Sequence, residues 1–395
     1  MIMENSNSCN RSKKILQIIN LASSARNFIG GQFKYLHDHG YEMHLICSDD
    51  DEMAVYAKNN RVKYNPVHLE RTLSPINDLK ALFKIYKYIK KEKIDTVIAH
   101  QAKARLLGTA AAFFARVPNR IIFAHGILFE TLKGTKRKLV ILMDKLVAMM
   151  SHKTVCVSQS VAKVRIDYNI EKASRQYILG YGTCGGIDTK NKFNPDMLDP
   201  EEQLNIMKSH GITSDDFIVG FCGRLVKDKG IFELVEGFKI FKHNHPNAVE
   251  IKLLIIGKRE IRDAISQSLN DTIDNSSDII HIEYVDNTQI YKYFALFSVM
   301  VLPSYREGFG MVTIECGAME VPAIVSKSTG CIDSINEGET GVYCDISPQS
   351  IAEQLEYFYS NPAQRKTMGK NARIYIEKRY DSSVVWPHII NVIEN

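Results

Sequence analysis

Short apolar runs alternating with longer amphipathic ones leave this chain few folds to choose from. In the first half the runs are Ile15–Ile19, Met43–Cys47, Thr96–Ala99, Arg120–Ala124, Thr154–Val157 and Gln176–Leu179. In the second they are Phe217–Phe221, Ile251–Ile256, Ile279–Ile282, Val299–Leu302, Ala323–Val325 and Gly341–Tyr343. A short continuous apolar run suits a strand buried on both faces, and strands spaced by helical patterns suit parallel sheets of βα units. The polar stretch Asn191–Asp216, with Pro195 and Pro200, separates the two sets. Each half can therefore build its own doubly wound sheet. The expected division is a first domain at residues 1–195, a linker at 196–216, a second domain at 217–379 and a final helix at 380–395. With 395 residues, 45% of them apolar, the chain can fill two sizeable cores.

Two strand-to-helix junctions in the second half carry the chemistry. The first is Ser304-Tyr305-Arg306-Glu307-Gly308-Phe309-Gly310-Met311-Val312-Thr313-Ile314-Glu315, which follows the run Val299–Leu302. A strand that opens through glycines onto a helix makes an anion site, because free N–H groups and the positive end of the helix dipole meet there. Glu307 and Glu315 would repel a phosphate but accept hydrogen bonds from hydroxyls. A ligand with both kinds of group is a sugar nucleotide. The second junction is Phe221-Cys222-Gly223-Arg224-Leu225-Val226-Lys227-Asp228-Lys229-Gly230, with a helix expected from Ile231. Arg224 can grip phosphate oxygens bidentately and Lys229 adds a point charge. Lys227 and Asp228 receive no role.

The Glu-x7-Glu spacing with its Gly-Phe-Gly insert, together with Gly-Arg and then Lys-Gly, resembles the retaining glycosyltransferases of family 4, which have the GT-B fold. The resemblance implies an α/β protein with two Rossmann-like doubly wound domains facing a cleft. It implies that Glu307 meets the donor sugar and Glu315 the nucleotide ribose. Gly308, Phe309, Gly310, Met311 and Gly223 would line the nucleotide sugar, while Arg224 and Lys229 face its diphosphate. Fixed positive charge there favours the departure of a nucleoside diphosphate. It removes the need for a metal, and no Asp-x-Asp accompanies the two motifs. The last helix would cross back onto the first domain.

The first half is similar to a narrower group, the bacterial capsule and O-antigen glycosyltransferases. The matching stretches are Leu21–Phe28, His100–Gly108, Ala124-His125-Gly126 and Gly180–Asp188. They imply that His125, at a strand end, meets the donor sugar, and that His100, Lys103 and Arg105 lie on the acceptor side. Gly30-Gly31 is expected inside a helix, with the phosphate loop at Ser23–Asn27, which makes Arg26 a further cation for the donor nucleotide sugar or for an acceptor phosphate.

The formal charge of +5 suits an anionic ligand or membrane surface without demanding nucleic acid. The cysteines at 9, 47, 156, 184, 222, 316, 331 and 344 form no Cys-x-x-Cys or Cys/His cluster, so no zinc or redox motif is expected. The first fourteen residues have no apolar core, so no secretory signal is expected. The most apolar helical run, Leu139–Met150, is too short to span a bilayer. Lys80, Lys84, Lys87 and Lys91 fall within about 60° of one helical face, and Lys133, Lys136, Arg137 and Lys138 form a second basic cluster. Such a surface can dock on anionic lipid. The expected protein is a metal-independent retaining glycosyltransferase, cytoplasmic and peripheral on the inner face of the cell membrane. It would use a nucleotide sugar, with a UDP-sugar the expected choice, as co-substrate and need no further cofactor. Its acceptor would be a polyprenyl-diphosphate-linked saccharide. A GT-B sugar-nucleotide epimerase or phosphorylase, or a non-catalytic sugar-nucleotide-binding partner, is the alternative.

Overall fold

The computed structural model describes residues 12–69, 74–248, 250–261 and 263–395. The first sheet is built from β1 (Lys14–Leu21), β2 (Glu42–Ser48), β3 (Val62–Tyr64), β4 (Thr96–Ala99), β5 (Asn119–Ala124), β6 (Lys153–Cys156) and β7 (Gln176–Tyr177). Its order is β3-β2-β1-β4-β5-β6-β7, and every pairing is parallel. The second sheet contains β8 (Phe217–Cys222), β9 (Ile251–Ile256), β10 (Ile279–Ile282), β11 (Val299–Leu302), β12 (Ala323–Ser326) and β13 (Gly341–Cys344). It is also parallel, in the order β10-β9-β8-β11-β12-β13. The central strands β4 and β11 are buried along their whole length, which is why their sequences are continuous apolar runs rather than alternating ones.

Three local expectations need correction. The apolar runs give no sign of the edge strand β3, which has three residues and is buried only at its first. The run Gln176–Leu179 contributes only the two residues of β7. Ser23–Asn27 is not a loop but part of one helix, Ala22–Asp38, which begins directly after β1. Gly30 and Gly31 do lie inside that helix. A Cβ on Gly30 would come within 2.6 Å of the Tyr56 hydroxyl, and one on Gly31 within 2.6 Å of the Trp386 ring. Close packing therefore offsets the helix propensity the two glycines give up.

The stretch 196–216 carries a helix, Pro200–Ser209, whose start is capped by the Asp199 carboxylate accepting from Glu201 N at 2.9 Å. The chain then crosses between sheets a second time near its end. After the helix Pro362–Tyr380, Ile187 N donates to Tyr380 O at 2.9 Å and Ser382 N donates to Ile187 O at 2.8 Å. The last helix, Ser382–Glu394, lies against the first sheet. Trp386 Nε1 donates to Gly185 O at 2.6 Å, Asn119 Nδ2 to Ile393 O at 3.0 Å and Lys153 Nζ to Val392 O at 2.7 Å.

These crossings bring the C-terminal ends of the two sheets face to face. In each sheet the direction of winding reverses beside the central strand, between β1 and β4 and between β8 and β11. Open α/β sheets bind their ligands outside such points. Truncating Trp386→Ala removes a hydrogen bond and a half-buried indole at the seam. We expect a loss of about 2 kcal/mol or more, read as a lower urea midpoint by circular dichroism. An unchanged midpoint would mean that the tail is not held by this contact.

Candidate active site

A cavity of about 350 Å³ sits where the two sheets meet. The first sheet supplies His125, just past β5, and Gln101, just past β4. The second supplies Cys222, Lys229 and the stretch Glu307–Val312. Two glycines make this geometry possible. Gly230 has φ of +69°, and a Cβ there would lie 2.2 Å from Pro303 O. Only glycine lets the Lys229 turn lie against the end of β11 and start the helix Ile231–His243. A Cβ on Gly308 would lie 2.2 Å from His125 O, so the bare backbone of one domain touches the bare backbone of the other. Gly310, with φ of +78°, then caps the helix Met311–Ala318. The first N–H groups of that helix have no intrahelical partner, and they lie at the cavity edge formed by Met311 and Val312.

Of the expected donor residues, Lys229 and Glu307 are brought into direct contact as an ion pair, and both are mostly shielded from solvent. Ser304 Oγ also donates to Glu307 Oε1, at 3.1 Å. Arg224 is not beside them. Its side chain is 54% exposed, 3.7 Å from Glu260, and lines an adjoining cavity with Gln101 and Lys103. Glu315 lines a separate cavity of about 560 Å³ together with Arg26, Phe28, Lys192 and Trp386. Burial pushes the Glu315 carboxyl up to about 7, opposed by the charge of Lys192. Arg26 reaches this cavity but is held by Asp50 at 2.7 Å and Glu52 at 3.0 Å. Phe28 lines all three of these cavities, so they adjoin one another as a single trough.

The acceptor-side expectations come out differently. His100 is fully buried and cannot touch a ligand. Its Nε2 lies 3.0 Å from Gln17 Oε1 and its Nδ1 3.0 Å from His125 Nε2. The Gln17 oxygen accepts from His100 Nε2, which makes His100 Nδ1 the acceptor for His125 Nε2–H and leaves His125 Nδ1 as a free acceptor. Burial, with Arg105 nearby, pushes the His125 pKa down to about 4, and burial drives that of His100 well below the ordinary value. Both rings are therefore neutral, and His100 positions His125 rather than binding an acceptor. Lys103 pairs with Asp78 at 2.6 Å and Arg105 with Asp144 at 2.5 Å. Arg105 forms part of the wall of a mainly apolar groove with Leu106, Leu139 and Met143.

One literal Asp-x-Asp does occur in the chain, Asp49-Asp50-Asp51 after β2, away from the two motifs. Asp50 is taken by Arg26, and Asp49 accepts from the Tyr64 hydroxyl at 2.8 Å. Among the described residues no group of three or more His, Cys, Asp or Glu side chains is placed to hold a metal. The seven described cysteines are unpaired, and Cys9 lies outside the described residues. Sequence reasoning missed Gln17, Gln101 and Lys192. Gln101 has φ of +58°, accepts from Asn20 N at 3.1 Å and donates to Ser24 Oγ at 3.0 Å, tying the ends of β1 and β4 together. Its position directly after His100 was the available signal.

Two parallel sheets meeting in a cleft of this kind define a GT-B architecture. The fold matches a glycosyltransferase of Rickettsia africae with a TM-score of 0.76 at 19% identity, covering 97% of this chain and 99% of that one. It also matches Anabaena HepE, solved with UDP and glucose, with a TM-score of 0.79 at 16% identity over 96% and 99% of the two chains. Residues 202–375 match the family model "Glycosyl transferases group 1" and residues 17–160 match "Glycosyl transferase 4-like". The Staphylococcus aureus capsular polysaccharide biosynthesis glycosyltransferase CapM is 32% identical over 96% of each chain. An Escherichia coli UDP-Gal:α-D-GlcNAc-diphosphoundecaprenol α-1,3-galactosyltransferase is 25% identical over 80% of this chain and 79% of its own. The chain belongs to this glycosyltransferase family.

The histidine pair has a consequence for stability. Both folded pKa values lie below the ordinary value, so the unfolded chain binds more protons once the pH drops below about 6.5. The stability these groups contribute is present above that pH and is lost as the pH falls toward 4. Glu315 acts in the opposite sense: its raised carboxyl costs stability as the pH rises from the ordinary carboxylate range through about 7. Denaturant titrations at a series of pH values should show wild type losing more stability between about 6.5 and 4 than the double variant His100→Asn/His125→Asn. Parallel losses would mean that the rings are not buried and neutral.

Proposed function

We propose that this chain is a metal-independent retaining glycosyltransferase that moves a hexose or N-acetylhexosamine from a UDP-sugar to a lipid-linked saccharide in surface-polysaccharide synthesis. The observation that carries this reading is the contact of Lys229 with Glu307 beside the neutral His125, at a helix N-terminus in the interdomain cleft. The donor diphosphate would take Lys229 and the N–H groups of the Met311–Ala318 helix, and Arg224 would swing in from its exposed position. Glu307, released from Lys229, accepts from sugar hydroxyls, as does the free Nδ1 of His125. Glu315 accepts from the ribose, in the cavity it shares with Lys192 and Trp386.

In the transfer step the bond from the sugar's C1 to the phosphate oxygen breaks, and its electron pair stays with the diphosphate. The acceptor hydroxyl oxygen bonds C1 on the same face. Its proton goes to the departing phosphate oxygen, so no protein base is required. Lys229 and Arg224 lower the barrier because negative charge grows on the diphosphate as the bond breaks. The roles of the S. aureus and E. coli relatives, and the UDP in HepE, support this choice of donor and acceptor class.

The acceptor lipid implies a membrane surface. No described helix is long and apolar enough to cross a membrane. The helix Pro75–Glu92 exposes Ile76, Leu79 and Phe83 beside its lysines, and the helix Gly134–Met150 exposes Leu139, Leu142, Leu146 and Met149 beyond its basic first turn. Apolar side chains next to lysines suit peripheral docking on the cytoplasmic face.

Hydrolysis of a panel of nucleotide sugars by the purified protein tests the enzyme. A UDP-sugar should be turned over in EDTA, and Arg224→Ala and Lys229→Ala should each lower kcat ~100-fold. Near-wild-type turnover in both variants, or loss in EDTA restored by magnesium, would contradict it. Docking is read by sedimentation with liposomes. Binding should require anionic lipid and weaken with salt, since each surface lysine adds roughly 1 kcal/mol that salt screens. Equal binding to neutral and anionic vesicles would contradict it.

A further inference from the structure

A second cavity, of about 870 Å³, opens on the far side of the two loops that carry Lys229 and Glu307. Each loop gives residues to both sides. Lys229 and Glu307 face the donor cavity, while their neighbours Asp228 and Arg306 line the second. On the glycosyltransferase reading, a group bound there would lie next to the sugar that is to be moved. The opposite wall comes from the first domain, through the segment around Glu130.

The chemistry of this wall is that of a sugar site. Phe232 is 53% exposed and Tyr305 45% exposed. Phe232 stands out from its helix between the buried Ile231 and Leu234. Tyr305 is held by its hydroxyl, which donates to Glu233 Oε1 at 2.6 Å. Aromatic faces receive the C–H face of a pyranose, and carboxylates accept from its hydroxyls. At the inner end Asp228 accepts from Arg306 Nη2 at 2.9 Å and Glu130 accepts from Thr329 Oγ1 at 2.7 Å. Glu130 Oε2, Asp228 Oδ1 and Arg306 Nε remain buried with no hydrogen-bond partner, which leaves unmet polar capacity beside the cavity. Four carboxylates line it, those of Glu130, Asp228, Glu233 and Asp263, against the three cations Lys133, Lys227 and Arg306. That balance disfavours a diphosphate and leaves a neutral saccharide as the better occupant.

We propose that this cavity is the acceptor-saccharide subsite. It would hold the sugar of the lipid-linked acceptor against Phe232 and Tyr305, and the acceptor's diphosphate would lie outside it. The proposal rests on the glycosyltransferase reading and adds that the second domain, not only the first, selects the acceptor. A cavity of this size falls within the range of about 300–1,000 Å³ that small-molecule pockets span, enough for a sugar unit.

The test compares farnesyl diphosphate with farnesyl diphosphates carrying α-N-acetylglucosamine, α-glucose or α-galactose, each titrated into UDP-saturated protein. At least one glycosylated lipid should bind about tenfold tighter than farnesyl diphosphate alone. That gain should vanish in Phe232→Ala and in Glu233→Ala, while UDP affinity measured by calorimetry stays at the wild-type value. No gain for any of the sugars, or a gain that survives in both variants, would overturn the proposal. Hydrolysis of UDP-sugars is read separately. If hydrolysis fails while the sugar-dependent gain appears, the glycosyltransferase reading falls and the cavity stands only as a saccharide-binding site, without the acceptor role.

Discussion

The structure depends on one close approach, that of the His125 carbonyl to the backbone of Gly308. No side chain fits between them, since a Cβ on Gly308 would lie 2.2 Å from that oxygen. The contact sets the end of β5 against the loop that leaves β11. From it follow the position of Glu307, directly before Gly308, and of the helix N-terminus that Gly310 opens. The chain crossings at Ile187 and Ser382, and the seating of Trp386 on Gly185, hold the two sheets at that distance.

Electrostatics then separates the cleft into regions. Beside the contact the groups are neutral: His125 and His100 are both kept unprotonated by burial. Lys229 and Glu307, which line the same cavity as His125, neutralise each other as an ion pair. On the proposed function, a charged donor would exchange one ion pair for new partners instead of stripping water from isolated ions, whose desolvation is costly. Farther along the trough, the carboxyl of Glu315 is raised to about 7, so a ligand offering it hydroxyl donors favours its ionised form.

Much of the fold was legible because parallel strands buried on both faces leave continuous apolar runs. Ile251–Ile256, Val299–Leu302 and Thr96–Ala99 are strands over those same residues. The edge strand β3 left no such run. The phosphate loop expected at Ser23–Asn27 failed because the helix starts at once after β1, and nothing in its composition marks that. In the site, the Lys229 and Glu307 junctions were visible as glycines at strand ends. The role of His100 was not, because a histidine that binds a ligand and one that holds another histidine look alike in sequence. Arg224 and Glu315 could be named but not placed in separate cavities, since their spacing along the chain does not fix side-chain direction.

The most direct test of sugar transfer at this junction is the configuration of the first product formed from a UDP-α-sugar, followed by proton NMR before the free sugar equilibrates. Attack on the face that the diphosphate leaves predicts the α anomer, with the coupling between the first two ring protons small. A β product would contradict that geometry, because it requires the acceptor to approach from the opposite face.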